Sequence, residues 1–233
     1  MTIRIGIAGW SIRREQADLF KPGPSHLARY ATRFNAVEIN SSFYRPHRRS
    51  TYERWAASVP KDFRFSAKLP RAITHQARLA DPEAALDAFA GQVLGLGEKL
   101  GPLLAQLPPS LGFDAARAGV FFQALRARFD GFLACEPRHA SWFARDADAL
   151  LKKHHIARVA AAPAPAAGAE KPGGWNGYRY FRWHGSPVMY RSAYAPARLK
   201  ALAAVLKAGD WCIFDNTADG AATPDAFKLR DLL

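Results

Sequence analysis

Short runs of alternating apolar residues recur along the chain, most bounded by glycine, proline, aspartate or asparagine. They are IRIGIAG (3–9), AVEINSS (36–42), RFSAKLP (64–70), PLLAQLP (102–108), GFLACEP (131–137), IARVAAA (156–162), YRYFRWHG (178–185) and DWCIFDN (210–216). Their length and two-residue period are those of strands. Between them lie stretches with helical spacing, over 25–34, 49–58, 82–98, 114–128, 141–153, 196–208 and 219–231. Asp81 with Pro82, Asp114 and Ser141 stand where helix caps and first turns are expected. Strands alternating with helices predict a parallel sheet with crossover helices, and eight such units predict an α/β fold closed as a single (β/α)8 TIM barrel over 1–233. One segment breaks the rhythm. AAPAPAAGAEKPGGWNG (161–177) reads as a long Pro/Ala/Gly-rich loop, either a lid over the barrel mouth or a plain exposed connection.

Side-chain parity sorts the strand residues. Apolar positions such as Val37, Ile39, Phe65, Ala67, Leu133, Cys135, Phe181, Trp183, Cys212 and Phe214 are assigned to the helix side. The alternate positions then point inward. Near the ends of their strands these inward positions are Glu38, Asn40, Lys68, Gln106, Glu136, Arg138, Arg182, His184 and Asp215. A barrel gathers these strand ends at its C-terminal face, where such folds keep their chemistry. His139 has the opposite parity and is expected to cap the next helix or support Glu136.

These residues sit in stretches that resemble a known family. IGIAGWS (5–11), RFNAVEINSSFYRP (33–46), ERWAASVPKDFRFSAKLPRAITH (53–75), LGPLLAQLPPS (100–110), EPRHASWF (136–143), YFRWHG (180–185) and FDNT (214–217) resemble the YecE-like proteins. That is a bacterial and archaeal domain-of-unknown-function family, number seventy-two, with a TIM-barrel fold. The resemblance runs from end to end and implies that fold, but no established reaction. The chain departs from the family pattern at two places. Pro137 stands where an aromatic is usual, and Asp215 with Asn216 where two asparagines are usual.

The mouth residues suit two chemistries. Glu38, Glu136, His184 and Asp215 would hold a divalent metal, magnesium or manganese for the carboxylates and zinc with the imidazole. Alternatively, Glu136–Arg182 and Glu38–Arg138 are plain ion pairs. Lys68, Arg138, Arg182, His139 and His184 would instead cradle an anion, with Asn40, Gln106, Tyr44 and Asn216 completing the substrate contacts. In an enzyme for a phosphate-bearing substrate, Lys68, Arg138 and Arg182 bind the anion. Glu136 and His184 exchange protons, and Glu38 and Asp215 orient the substrate or hold the metal. QLPPS (106–110) shapes the mouth, with a cis bond at Pro108 or Pro109 as one option.

Charge widens the choice of partner. The 233 residues carry 33 Lys and Arg against 20 Asp and Glu, a net +13. That excess suits a phosphate-rich partner, a small metabolite or a nucleic acid. The basic residues are also scattered, as an Arg- and Ala-rich genome composition would leave them. A nucleic-acid-binding module is the alternative to the enzyme. Its loop would be SSFYRPHRR (41–49), where Phe43 and Tyr44 stand among Arg45, Arg48 and Arg49. No apolar run is long enough for a membrane span. MTIRIGIAGW lacks the layout of a secretion signal, and Cys135 and Cys212 form no paired motif. Both facts are expected of a cytoplasmic protein with reduced thiols.

Overall fold

The computed structural model describes residues 2–233. Strands and helices alternate: β1 (Arg4–Ile7), α1 (His26–Tyr30), β2 (Ala36–Ile39), α2 (Arg49–Ala57), β3 (Arg64–Lys68), α3 (Glu83–Val93), β4 (Leu100–Gln106), α4 (Ala115–Arg126), β5 (Leu133–Glu136) and α5 (Arg145–Lys153). Then come β6 (Ile156–Arg158), β7 (Ala160–Ala162), β8 (Gly173–Gly174), β9 (Tyr180–Trp183), α6 (Pro196–Val205), β10 (Trp211–Phe214) and α7 (Ala222–Asp231). One sheet has the order β1-β10-β9-β7 and the other β2-β3-β4-β5-β6-β8. Every pairing is parallel except β8 on β6. The fold is therefore mixed α/β with two parallel sheets flanked by helices.

All eight expected strands form. The run 156–162 is divided, because Val159 carries the chain out of one sheet and into the other. On the far side, β1 lies along β2 with few backbone bonds. Ala8 bridges Glu38, and Gly9 N donates to Glu38 O at 2.9 Å. Two side chains supply the rest. The Asn35 amide accepts from Ile5 N at 3.0 Å and donates to Ile3 O at 2.8 Å. The Tyr30 hydroxyl accepts from Ile7 N and donates to Ala36 O, both at 2.9 Å. Gly6 allows this approach, since a Cβ there would meet Ala36 O at 2.3 Å.

The apolar helix-side positions pack into one large core with the helices. A smaller cluster sits on the opposite face of the strands, with Leu104, Ala134, Ala157, Tyr180, Trp211 and Ile213. These are the lower inward positions. The polar inward residues come within the last two positions of their strands or just beyond them, above that apolar layer. Cys135 and Cys212 are buried free thiols, and burial pushes both far up from the usual thiol range. Among the described residues no helix is long and apolar enough to cross a membrane.

Several local expectations are corrected. Asp114 caps α4, accepting from Arg117 N at 3.0 Å. Ser141 caps no α-helix: its Oγ accepts from Phe113 N at 2.7 Å, and α5 begins only at Arg145. The helix expected over 82–98 ends at Val93 and passes into a 3-10 stretch, Leu94–Lys99, broken by Gly97 at φ 54°. The cis bonds precede Pro163 and Pro187, not Pro108 or Pro109. The segment 161–177 begins as strand and then runs back beside β6. Gly173 and Gly174 pair antiparallel with Arg158 and Ala157, and Gly174 N donates to Asp148 Oδ1 at 2.6 Å. Trp175 then packs against Phe132, His155 and Tyr178, which precede β5, β6 and β9. Gly174 is required here, at φ 63° with Ile156 O only 2.5 Å from where a Cβ would stand. Its far end is thus tied at the strands' starting ends, where a crossover helix would otherwise lie.

Candidate functional site at the strand ends

Arg182 projects from β9 into the space between the strand ends and is fully buried. Its Nε and Nη2 form a fork on the Glu38 carboxylate of β2, at 3.0 and 2.7 Å. Nη1 donates to Glu136 of β5 at 2.6 Å, and Nη2 also to Asp215, just past β10, at 3.0 Å. One planar cation therefore ties three strand ends together, as the fixed geometry of a guanidinium permits. Glu136 collects further partners. Gln106 donates to it at 3.1 Å, Arg138 at 2.8 and 3.1 Å, and His184 Nε2 lies 2.8 Å away. His184 Nδ1 faces Asp215 at 3.1 Å, so a neutral ring can donate to only one of its two carboxylates. Tyr180 donates to Glu38 at 3.0 Å and meets Ser66 at 2.8 Å.

Burial alone would raise the Glu136 carboxyl, but Arg182, His184 and Arg138 outweigh it and hold the group well below 4.5. Asp215 is likewise pushed up by burial and brought below 3.8 chiefly by Arg182 and His184. Both groups bind protons more weakly folded than unfolded. Their contribution to stability is thus complete above the unfolded values, 4.5 and 3.8, and is lost as the pH falls through and below them. Urea unfolding followed by circular dichroism should show at least about 2 kcal/mol less stability near pH 3 than near pH 6. Equal stability at the two pH values would contradict this account.

The four residues expected to hold a divalent metal do not fit one. Glu38, Glu136 and Asp215 converge on the Arg182 guanidinium. Among the described residues no three His, Cys, Asp or Glu side chains are placed to ligate an ion. Of the two expected ion pairs, Glu136–Arg182 forms, while Glu38 is paired with Arg182 in place of Arg138. Arg182 itself is closed to a substrate anion. Asn216 is buried facing α7, donating to Ser192 O at 2.9 Å and Asp225 Oδ2 at 2.8 Å. His139 caps the turn Ala140–Phe143, accepting from Ser141 N at 3.2 Å.

Above the network opens a cavity of about 430 Å³. Asp215, Gln106, Lys68 and Asn40 reach it from the strands, and Tyr44 forms part of its rim at 67% exposure. Glu38, Glu136, Arg182 and His184 lie beneath. Lys68 is the odd member. It is 5% exposed, its ammonium sits 4.0 Å over the Phe43 ring, and among the described residues it has neither a hydrogen-bond acceptor nor a salt bridge. Burial and then Arg182 push its pKa down to about 8, against the pull of the three carboxylates. Asn40 Oδ1 is also buried without a donor. Two polar groups at one cavity therefore lack partners that a ligand would supply.

Arg71, His75 and Thr217, which the strand pattern missed, also line the cavity, together with Tyr190. His75 rides on a single π-helical turn, Ala72–Gln76, just after β3. Its Nδ1 pairs with Thr74 Oγ1 at 2.9 Å and its ring meets Phe43 edge-on at 4.9 Å. Burial, then Lys68, Arg71 and Arg138, push its pKa down. The signal for Arg71 and His75 was the stretch PRAITH (70–75), which carries chemistry just past a strand, where strand parity says nothing. A larger cavity, about 590 Å³, opens at the other end of the strands around Ile3, Phe34, Asp62 and Leu233, away from the network.

Relatives share this architecture. YecE of Escherichia coli is 30% identical over 144 residues, 61% of this chain and 51% of that protein. YunF of Bacillus subtilis is 28% identical over 152 residues, 60% of this chain and 52% of that one. The matches thus span about half the length of these relatives. Among solved structures, a DUF72 family protein from Enterococcus faecalis superposes with a TM-score of 0.84 at 22% identity, covering 100% of this chain and 95% of that one. One from Thermotoga maritima gives 0.79 at 24%, covering 100% and 99%. SacUVDE gives 0.61 at 9% identity, covering 100% and 98%. At these identities the structures speak for the fold alone. The family model for proteins of unknown function DUF72 matches residues 4–233, which bears out the resemblance carried by IGIAGWS through FDNT: the chain belongs to the DUF72 family.

Proposed function

We propose that the chain is an enzyme on a closed (β/α)8 barrel, acting on an anionic, phosphate-bearing substrate at the C-terminal mouth. Closure is supported by the passage through Val159 at one junction and the Asn35–Tyr30 seam at the other. The observation that carries the function is Lys68, a largely buried side chain whose ammonium opens onto the cavity without a direct ion pair. Such a cation favours an anion, because the ligand replaces the missing partner. Arg71 and Arg138 add positive charge nearby, and Gln106 and Asn40 offer amides for neutral groups. An amine with a pKa near 8 also holds or yields a proton close to neutral pH, which suits isomerisation or hydrolysis. Asp215 is the carboxylate that reaches the cavity; held ionised by Arg182 and His184, it orients the substrate beside Lys68. Glu136, His184, Glu38 and Arg182 position it from below.

Calorimetric titration with inorganic phosphate tests this. Affinity should hold while Lys68 is protonated and fall by up to about tenfold per pH unit above about pH 8. Affinity indifferent to pH across that range, or no binding, would overturn the reading. The nucleic-acid-binding module has exposed Tyr44 beside Arg45 and Arg48 in its favour, whereas Arg49 is paired with Glu53 at 2.9 Å. An oligonucleotide outcompeting phosphate in the same titration, with a steep salt dependence, would favour it.

A further inference from the structure

An apolar groove of about 320 Å³ adjoins the anion cavity, and the two share Phe43, Tyr44 and Arg71. Its walls are Pro46, Pro70 and Ile73 on one side and Ala85, Ala88 and Phe89 of α3 on the other. Ala85 and Ala88 are exposed and three residues apart, so they lie on one helix face where small side chains leave the groove open. The prolines make the opposite wall stiff. Gln76 and Gln92 also line it, offering amide groups to a polar ring edge. Tyr44 is 67% exposed and packs perpendicular to Phe43 with ring centroids 5.0 Å apart, at the border of the two spaces. Arg71, also exposed, stands on the same border.

We propose that the substrate has two parts, an anionic head held at Lys68 and a flat, uncharged ring laid in the groove between Pro70 and Ala88. This rests on the reading of Lys68 as an anion site and adds the substrate class, an aryl or heteroaryl phosphate. Polarity divides along the same line as the walls. Lys68 and the strand-end amides Asn40 and Gln106 face the first cavity, while the prolines, alanines and Phe89 form the apolar floor of the second, with Arg45, Gln76 and Gln92 around them. A ring crossing from one to the other stacks on Tyr44, while Arg71 meets the phosphate from the rim. A bare anion or a sugar phosphate leaves the groove unfilled.

The test compares 1-naphthyl phosphate with inorganic phosphate by calorimetry on the full chain, at one pH and salt concentration. Naphthyl phosphate should bind at least about tenfold tighter, through the apolar area it removes from water. Ala88→Trp fills the groove from an exposed helix position and should erase that margin while phosphate binds as before. Ala85→Trp provides a second blocking variant, and retained phosphate binding reports that each variant is folded. Equal affinities for the two probes, or a margin that survives both substitutions, would overturn the two-part substrate and leave the anion site standing. If neither probe binds, the anion site falls and the inference with it.

Discussion

Lys68→Met should make the protein more stable and at the same time remove its affinity for phosphate. In the wild-type fold Lys68 is largely buried, its ammonium lies over Phe43 without a direct ion pair, and its pKa drops from 10.5 to about 8. A depressed lysine pKa means the unfolded chain binds the proton more tightly. The penalty is therefore full below about pH 8, fades as the pH rises toward 10.5, and is gone above it. A drop to about 8 corresponds to a penalty on the order of 3 kcal/mol at pH 7. Methionine keeps the length, lies on the Phe43 ring and asks for no partner. Urea unfolding at pH 7 should show the variant ahead by an amount of that order, and the gap should close near pH 10. Phosphate affinity should fall at least about thirtyfold, the loss of one charge-assisted contact. A variant less stable than wild type at pH 7, or one that binds phosphate normally, would sink this account. Stability gained as binding is lost marks a residue retained for its chemistry.

Arg182→Met should have the opposite and larger effect on folding. It leaves Glu38, Glu136 and Asp215 facing one another without the guanidinium that all three share. Removing one partner of a buried ion pair typically costs about 3–5 kcal/mol, a large part of the about 5–15 kcal/mol that holds a domain together. The variant should lose its cooperative urea transition or shift it by at least about 3 kcal/mol. Mild acid, which protonates the stranded carboxylates, should recover part of the loss. Arg182→Lys should recover less than the charge alone implies, because one ammonium cannot form the fork on Glu38 and also reach Glu136 and Asp215. A cooperative transition of wild-type stability in Arg182→Met would refute the central role of this cation.

The strands were legible because a two-residue period is imposed by the backbone itself, and the same period sent Glu38, Lys68, Gln106, Glu136, Arg182 and His184 to one side. Which cation meets which carboxylate was not legible. That depends on four strand ends converging in space, and it put Arg182 where a metal was expected. Arg71, His75 and Thr217 escaped because they sit beyond the strand ends, in a π-helical turn and in loops, where the two-residue period does not apply. Asn216 was misplaced for a related reason: it follows Asp215 directly and so faces the other way, toward Asp225. The division of 156–162 and the Gly173–Gly174 strand left no trace in hydropathy, since a run of alanines and a pair of glycines look alike on either side of such a break.

The seam between β1 and β2 has a consequence for how the chain comes off the ribosome. β1 has one continuous ladder, with β10, while toward β2 it relies on Asn35, Tyr30 and a single bridge. β1 must therefore wait for β10, about two hundred residues later in the chain, before it gains a continuous ladder. A nascent chain halted before Trp211 leaves β1 with an open edge, a template for wrong pairing between chains. A pause in synthesis between β1 and β10 is thus more hazardous here than it would be in a fold whose strands pair with their sequence neighbours.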